Sequence, residues 1–151
     1  MPGPEFLNVD LEIISASKLD SLEAEMGERV FVLTSEPITP RRYVLVVESN
    51  RIGSRRSRMP DPVIHALCSV VESLSPASRR TWQKAHKTFD VGYDLMPTER
   101  FSRFSVCPDT LERIAKLGAS LTVTYYNHGV LMKLEAKSRA KNLKVADGSG
   151  R

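Results

Sequence analysis

Leu7, Val9, Leu11 and Ile13 alternate with Asn8, Asp10 and Glu12. That period of two predicts a strand with one buried face. Leu19, Leu22 and Met26 then recur at helical spacing, with Ser17 as the candidate N-cap and Gly27 as the stop. A strand follows at residues 30–33, then a loop at residues 36–40 holding Pro37 and Pro40. Residues 43–47 are almost continuously apolar and β-branched, which predicts a central strand covered on both faces and paired antiparallel with residues 30–33.

The second half repeats this grammar. Asp61 and Pro62 read as N-cap and first helical residue. Val63, Ala66, Leu67, Val70, Val71 and Leu74 follow as an amphipathic stripe that must pack on a sheet. Ser75 and Pro76 open a second helix reaching residue 87, in which Trp82 is the anchor to the core. Phe89, Val91, Tyr93 and Leu95 alternate with Asp90, Gly92 and Asp94, and residues 96–100 turn the chain into a strand at residues 101–107, giving a hairpin. Asp109 and Glu112 have capping-box spacing. Leu111, Ile114 and Ala115 form the apolar side of the helix they open, with Leu117 at its margin, and Gly118 sits where a left-handed C-cap belongs. Residues 121–125 alternate again, as a half-buried strand.

This order predicts an α+β domain: a single, mostly antiparallel sheet with helices packed on one face, in a ferredoxin-like or split β-α-β arrangement. Two strand–helix–strand units, one near the start and one at residues 101–125, suggest an internal duplication. The expected division is one domain over residues 1–134 and a basic, flexible C-terminal tail over 135–151.

Composition changes this picture little, but charge does. The net charge of +4 conceals an acidic front and a basic back: residues 1–50 carry −5, residues 51–100 carry +4 and residues 101–151 carry +5. Residues 51–58 contain Arg51, Arg55, Arg56 and Arg58 among Gly and Ser, and residues 79–87 add a basic helix with Arg80 and Lys84. These six side chains are the candidate partner-binding residues, since guanidinium groups offer paired donors to carboxylate and phosphate. The stretch lacks the strand–loop–helix glycines of a phosphate loop. Cys68 and Cys107 are far apart and outside CxxC spacing, and His65, His86 and His128 lack ligand spacing, so no catalytic, cofactor or metal residue is assigned. Asp90 and Asp94 share one strand face and read as a solvated pair. With no apolar run of bilayer length and no basic-then-apolar leader, a cytoplasmic protein with reduced thiols and no membrane partner is expected.

Residues 89–95, FDVGYDL, and residues 101–125, ending in CPDTLERIAKLGASLTVTY with Cys107 where Ser is more usual, resemble the bacterial domain of unknown function 4279 family. The NVDLE opening at residues 8–12 is similar too, and the likeness runs from about residue 6 to residue 127. The resemblance implies a bacterial soluble domain with no established activity and supplies no catalytic residues.

The function expected is therefore a non-enzymatic protein-interaction module that binds a protein partner or itself. The alternative is nucleic-acid binding through residues 51–58, the basic helix and the tail, with residues 100–106 (RFSRFSV) placing aromatics and arginines on a strand and Trp82 as a stacking platform. An enzyme of unknown class ranks third.

Overall fold

A computed structural model describes residues 5–50, 59–94 and 104–127. The elements run β1 (Glu5–Ser15), α1 (Asp20–Met26), a 3-10 turn (Gly27–Arg29), β2 (Val30–Thr39), β3 (Arg42–Ser49), α2 (Pro60–Glu72), α3 (Pro76–Lys84), β4 (His86–Asp94), α4 (Pro108–Lys116) and β5 (Ser120–Tyr126). They build an α+β fold on one five-stranded open sheet in the order β2-β3-β1-β4-β5. The first four strands are antiparallel neighbours, and β5 lies parallel to β4. The strands β2-β3-β1-β4 with their helices reproduce the split β-α-β pattern, and α4 and β5 extend it by one crossover.

Helices pack on one face. Val9, Leu11, Ile13, Leu45, Val47, Phe89 and Val91 point into it and are sealed by Leu22, Met26, Val63, Ile64, Leu67, Cys68 and Val71. The amphipathic α2 lies across β1 and β3, as its stripe predicts. Its core side also takes Ile64 and Cys68, whereas Ala66 is only half-buried. In β1 a bulge leaves Leu7 without a partner on β4, so Phe6 replaces it on the core face.

Several boundaries differ from the sequence reading, each for a local reason. Helix α1 starts at Asp20 behind Leu19. Ser17 does not cap it but donates its backbone N–H to Ser15 Oγ at 3.0 Å. The expected loop at residues 36–40 is mostly strand: β2 runs through Pro37 to Thr39, absorbing Leu33 and Ile38 as bulges. Proline is tolerated there because β2 is an edge. Strand β3 is interior but only one face is covered by described helices, and Val44 and Val46 are half-buried on the other.

Helix α2 opens at Pro60 behind Met59, so Asp61 lies in its first turn and is not the cap. Helix α3 ends at Lys84, not residue 87, and is capped as expected by Ser75 Oγ, which accepts from Ser78 N–H at 3.3 Å. The strand expected at residues 101–107 is absent over 104–107. The two places beside β4 go to β1 and β5, so the second strand–helix–strand unit is β4-α4-β5. Helix α4 begins at Pro108 behind Cys107, which displaces Asp109 and Glu112 from the capping box, and Glu112 instead pairs with Lys116 at 2.6 Å. Its buried side is Thr110 and Ile114, leaving Leu111 exposed. Gly118 has φ 65°, and the bonds Gly118 N to Ala115 O (2.9 Å) and Ala119 N to Ile114 O (3.2 Å) complete a Schellman stop. Leu95, the turn at 96–100, residues 101–103 and everything beyond residue 127 lie outside the described residues.

Candidate interaction surface

Of the six expected contact residues, Arg51, Arg55, Arg56 and Arg58 lie outside the described residues. Arg80 and Lys84 project into solvent from α3, one turn apart. The basic helix is weaker than its sequence suggests. Arg79 turns back to donate to Glu72 O. Lys87 is on β4 and buried, with Nζ donating to Trp82 O at 3.1 Å and lying 5.5 Å from the centre of the Trp82 ring. Desolvation holds its ammonium below the usual lysine range. Trp82 is the anchor expected, with Nε1 donating to Leu117 O at 2.9 Å, and its burial removes it as a stacking platform.

The sheet face away from the helices is acidic. Register sets Glu48 beside Asp10 and Asp10 beside Asp90, a row of carboxylates across three strands, with Glu12 one step along. Asn8 straddles the row, donating Nδ2–H bonds to Asp10 Oδ1 (2.8 Å) and Glu48 Oε1 (2.7 Å). Thr124 Oγ1 donates to Asp90 at 2.7 Å. Gly92 makes room for this: a Cβ there would come within 2.5 Å of Asn8 Oδ1 and 3.3 Å of Tyr126 Cε2. Burial first, then the charge and hydrogen bond of Glu48, push Asp10 up to about 7 from an ordinary 3.8. Asp10 thus keeps its proton to near neutral pH. Sequence alternation places Asp10, Glu12 and Asp90 on polar faces; only register unites them with Glu48.

Where α2 meets α4, Asp61 Oδ1 accepts from Cys107 N–H (2.9 Å) and Thr110 Oγ1 (2.6 Å). Asp61 therefore caps α4 from another helix. Burial opposes its charge, but these two bonds outweigh it and hold the carboxyl below the usual range. Thr110 Oγ1 also meets His65 Nε2 at 2.7 Å and Cys107 Sγ at 3.0 Å. Its one proton goes to Asp61, so it accepts from both. Each group here has a partner within the fold, and His65 is a boundary residue, as its position off the α2 stripe implies. The Cys68 thiol is buried and pushed up to about 11 by desolvation. Among the described residues, no three of His, Cys, Asp and Glu gather as a metal site, and no helix is long and apolar enough to cross a membrane.

The remaining feature is the edge strand β2. Phe31 (55%), Val32 (43%), Leu33 (51%) and Ile38 (49%) stand exposed within ten residues that carry a single charge, Glu36. The bulges leave Leu33 and Ile38 unpaired with β3. Beside them a cleft of about 440 Å³ is lined by Lys18, Leu19, Glu36, Pro37, Pro40 and Tyr43, among others. Pro37 within an otherwise strand-like run is the sequence signal that could have marked this edge.

Comparisons with family models, with curated proteins and with solved structures give no match to this chain.

Proposed function

We propose that the protein is a non-enzymatic interaction module whose contact surface is the apolar edge β2. The observation that carries this reading is the row of four large apolar side chains, each about half exposed, along one edge strand, Phe31 on the acidic face beside Glu48 and Val32 on the helix face beside Val47. Such a strand, an outer one of the sheet among the described residues, suits docking of another polypeptide along its edge. The arginines at 51, 55, 56 and 58, with Arg80 and Lys84, serve in this proposal as an encounter surface that steers an acidic partner. A bacterial, cytoplasmic protein akin to the domain of unknown function 4279 family is part of the same proposal.

Nucleic acid is the weaker reading. A sheet face bearing Asp10, Glu12, Glu48 and Asp90 repels phosphate where RNA-recognition sheets present aromatics.

The test is differential capture from a native extract. Wild-type chain, Phe31→Glu and the pair Arg80→Glu/Lys84→Glu serve as baits. Phe31→Glu is expected to lose the bound protein, and the α3 pair to retain it with slower association. Equal capture by Phe31→Glu removes β2 as the contact surface. Salt-sensitive capture of nucleic acid lost only in the α3 pair replaces the reading with the alternative.

A further inference from the structure

We infer that the open face of the sheet is the docking surface for this chain's own basic segment at residues 128–151, whose cations sit against the carboxylates of β1 and β4. The inference concerns the face of the sheet and does not rest on the reading of the β2 edge.

Register fixes which side chains share that face, because laterally paired residues point to the same side of a sheet. Glu48, Asp10, Asp90 and Thr122 are successive neighbours across β3, β1, β4 and β5, and Val46, Glu12, Thr88 and Ser120 form the next row. The residues that alternate with them, such as Leu11, Val47, Phe89 and Val91, are buried under the helices on the other face. Between the two rows lies a depression of about 200 Å³, lined by Asp10, Glu12, Val46, Thr88, Asp90 and Thr122. Asp10 keeps its proton to near neutral pH, so Glu12 and Asp90 are the pairing groups there. Among the described residues neither has a cation within ion-pair distance: the ion pairs join Arg113 to Glu72, Lys116 to Glu112 and, when protonated, His65 to Asp109.

The occupant follows from charge and from where the described chain leaves off. Residues 128–151 carry six Lys or Arg against two Asp or Glu, and Lys137, Arg139, Lys141 and Lys144 fall within eight residues. Tyr126 is on the open face, over Gly92 and four residues past Thr122 on β5. The segment therefore starts about 13 Å beyond the depression, measured along the strand. The ten residues from Asn127 to Lys137 span up to about 33 Å, enough to turn and come back over it. Exposed ion pairs are individually weak, so a free basic peptide is a poor competitor for this face. A segment joined directly to β5 is present at about millimolar effective concentration whatever the dilution, which is what several weak pairs require. The arginine-rich stretch at residues 51–58 is instead tied at both ends, to β3 and to α2, and α2 lies across the opposite face.

Carbodiimide coupling of the full chain tests this, since the reagent joins a carboxylate to an amine only where the two are in contact. Unlabelled and nitrogen-15-labelled chains are mixed in equal amounts first, so that links within one chain and between two chains differ in mass. Amide links are expected from Glu12 and Asp90 to lysines of residues 133–144, within one chain. They should be lost at about 1 M salt, where the Debye length falls to about 3 Å. A second arm uses Arg139→Glu/Lys144→Glu, which keeps the amines of Lys137 and Lys141 and changes no residue of the core. Its yield of the same links should fall by about three- to tenfold, with circular dichroism melts as the check on folding. Three results overturn the inference: no link from either carboxylate, links only to lysines outside residues 128–151, or links only between chains. A yield that neither salt nor the charge reversal changes overturns it too.

Discussion

The two outer strands of the described sheet, β2 and β5, are built differently. Strand β5 is reached through α4, runs parallel to β4 in unbroken register, and its large side chains have neighbours: Tyr125 lies 6.2 Å from Tyr93, and Tyr126 sits over Gly92. Strand β2 comes from a tight hairpin, twice slips register with β3, and leaves Phe31, which lies beside Glu48 on the face away from the helices, and Val32, Leu33 and Ile38 about half exposed. Parallel pairing needs a crossover, and the crossover brings a helix that covers the strand. A hairpin brings no such cover. The edge made by the shorter connection thus leaves four wholly apolar side chains about half exposed, whereas the exposed large side chains of β5 are Tyr125 (43%) and Tyr126 (39%), each carrying a hydroxyl.

The comparison can be broken at several points. The largest effect is expected at Trp82, which ties α3 to the carbonyl of Leu117 just before β5. Trp82→Ala should cost about 3–5 kcal/mol in urea unfolding and should loosen β5 far more than β2. Next is Asp61. Asp61→Ala removes the cap of α4 and leaves buried Thr110 without its acceptor, at about 2 kcal/mol by the same measurement. A loss under about 0.5 kcal/mol would mean that α4 is not held through Asp61.

Asp10 comes third. Its carboxyl is raised from 3.8 to about 7 in the folded chain, so the native state holds a proton that the unfolded chain has released across that interval. Stability therefore falls as pH rises between these values and levels off above them. Asp10→Asn should flatten that slope and stabilise the chain at pH 8 by about 1 kcal/mol, the partly exposed row being screened by solvent. Melts from pH 4 to 8 would show it, and an unchanged slope would mean that Asp10 is not the group that holds the proton. The smallest effect is at Phe31. Phe31→Glu should leave stability within about 0.5 kcal/mol while removing association, which separates the contact edge from the core.

Much of this architecture was legible from period and punctuation. Alternation found β1, β4 and β5, the helical stripe found α2 on the sheet, and Ser75-Pro76 and Gly118 marked helix ends that the structure keeps. Caps at Ser17, Asp61 and Asp109 were misplaced because an N-cap residue is defined by where the helix starts. Here tertiary bonds, not local ones, decide that point: Asp61 serves α4 across forty-odd residues of chain. The hairpin after β4 was misread because strand pairing is a choice among neighbours, and β5 competes better than residues 104–107. The acidic row needed register, and the β2 surface needed to be known as an edge, neither of which a period of two reveals.

The most direct test of the account is amide hydrogen exchange on the full chain, followed strand by strand for the chain alone and for the chain bound to the protein it captures. The account predicts that amides of Val30–Thr39 slow in the complex while those of Ser120–Tyr126 do not change. Unchanged exchange in β2, or slowing confined to β5, would contradict it.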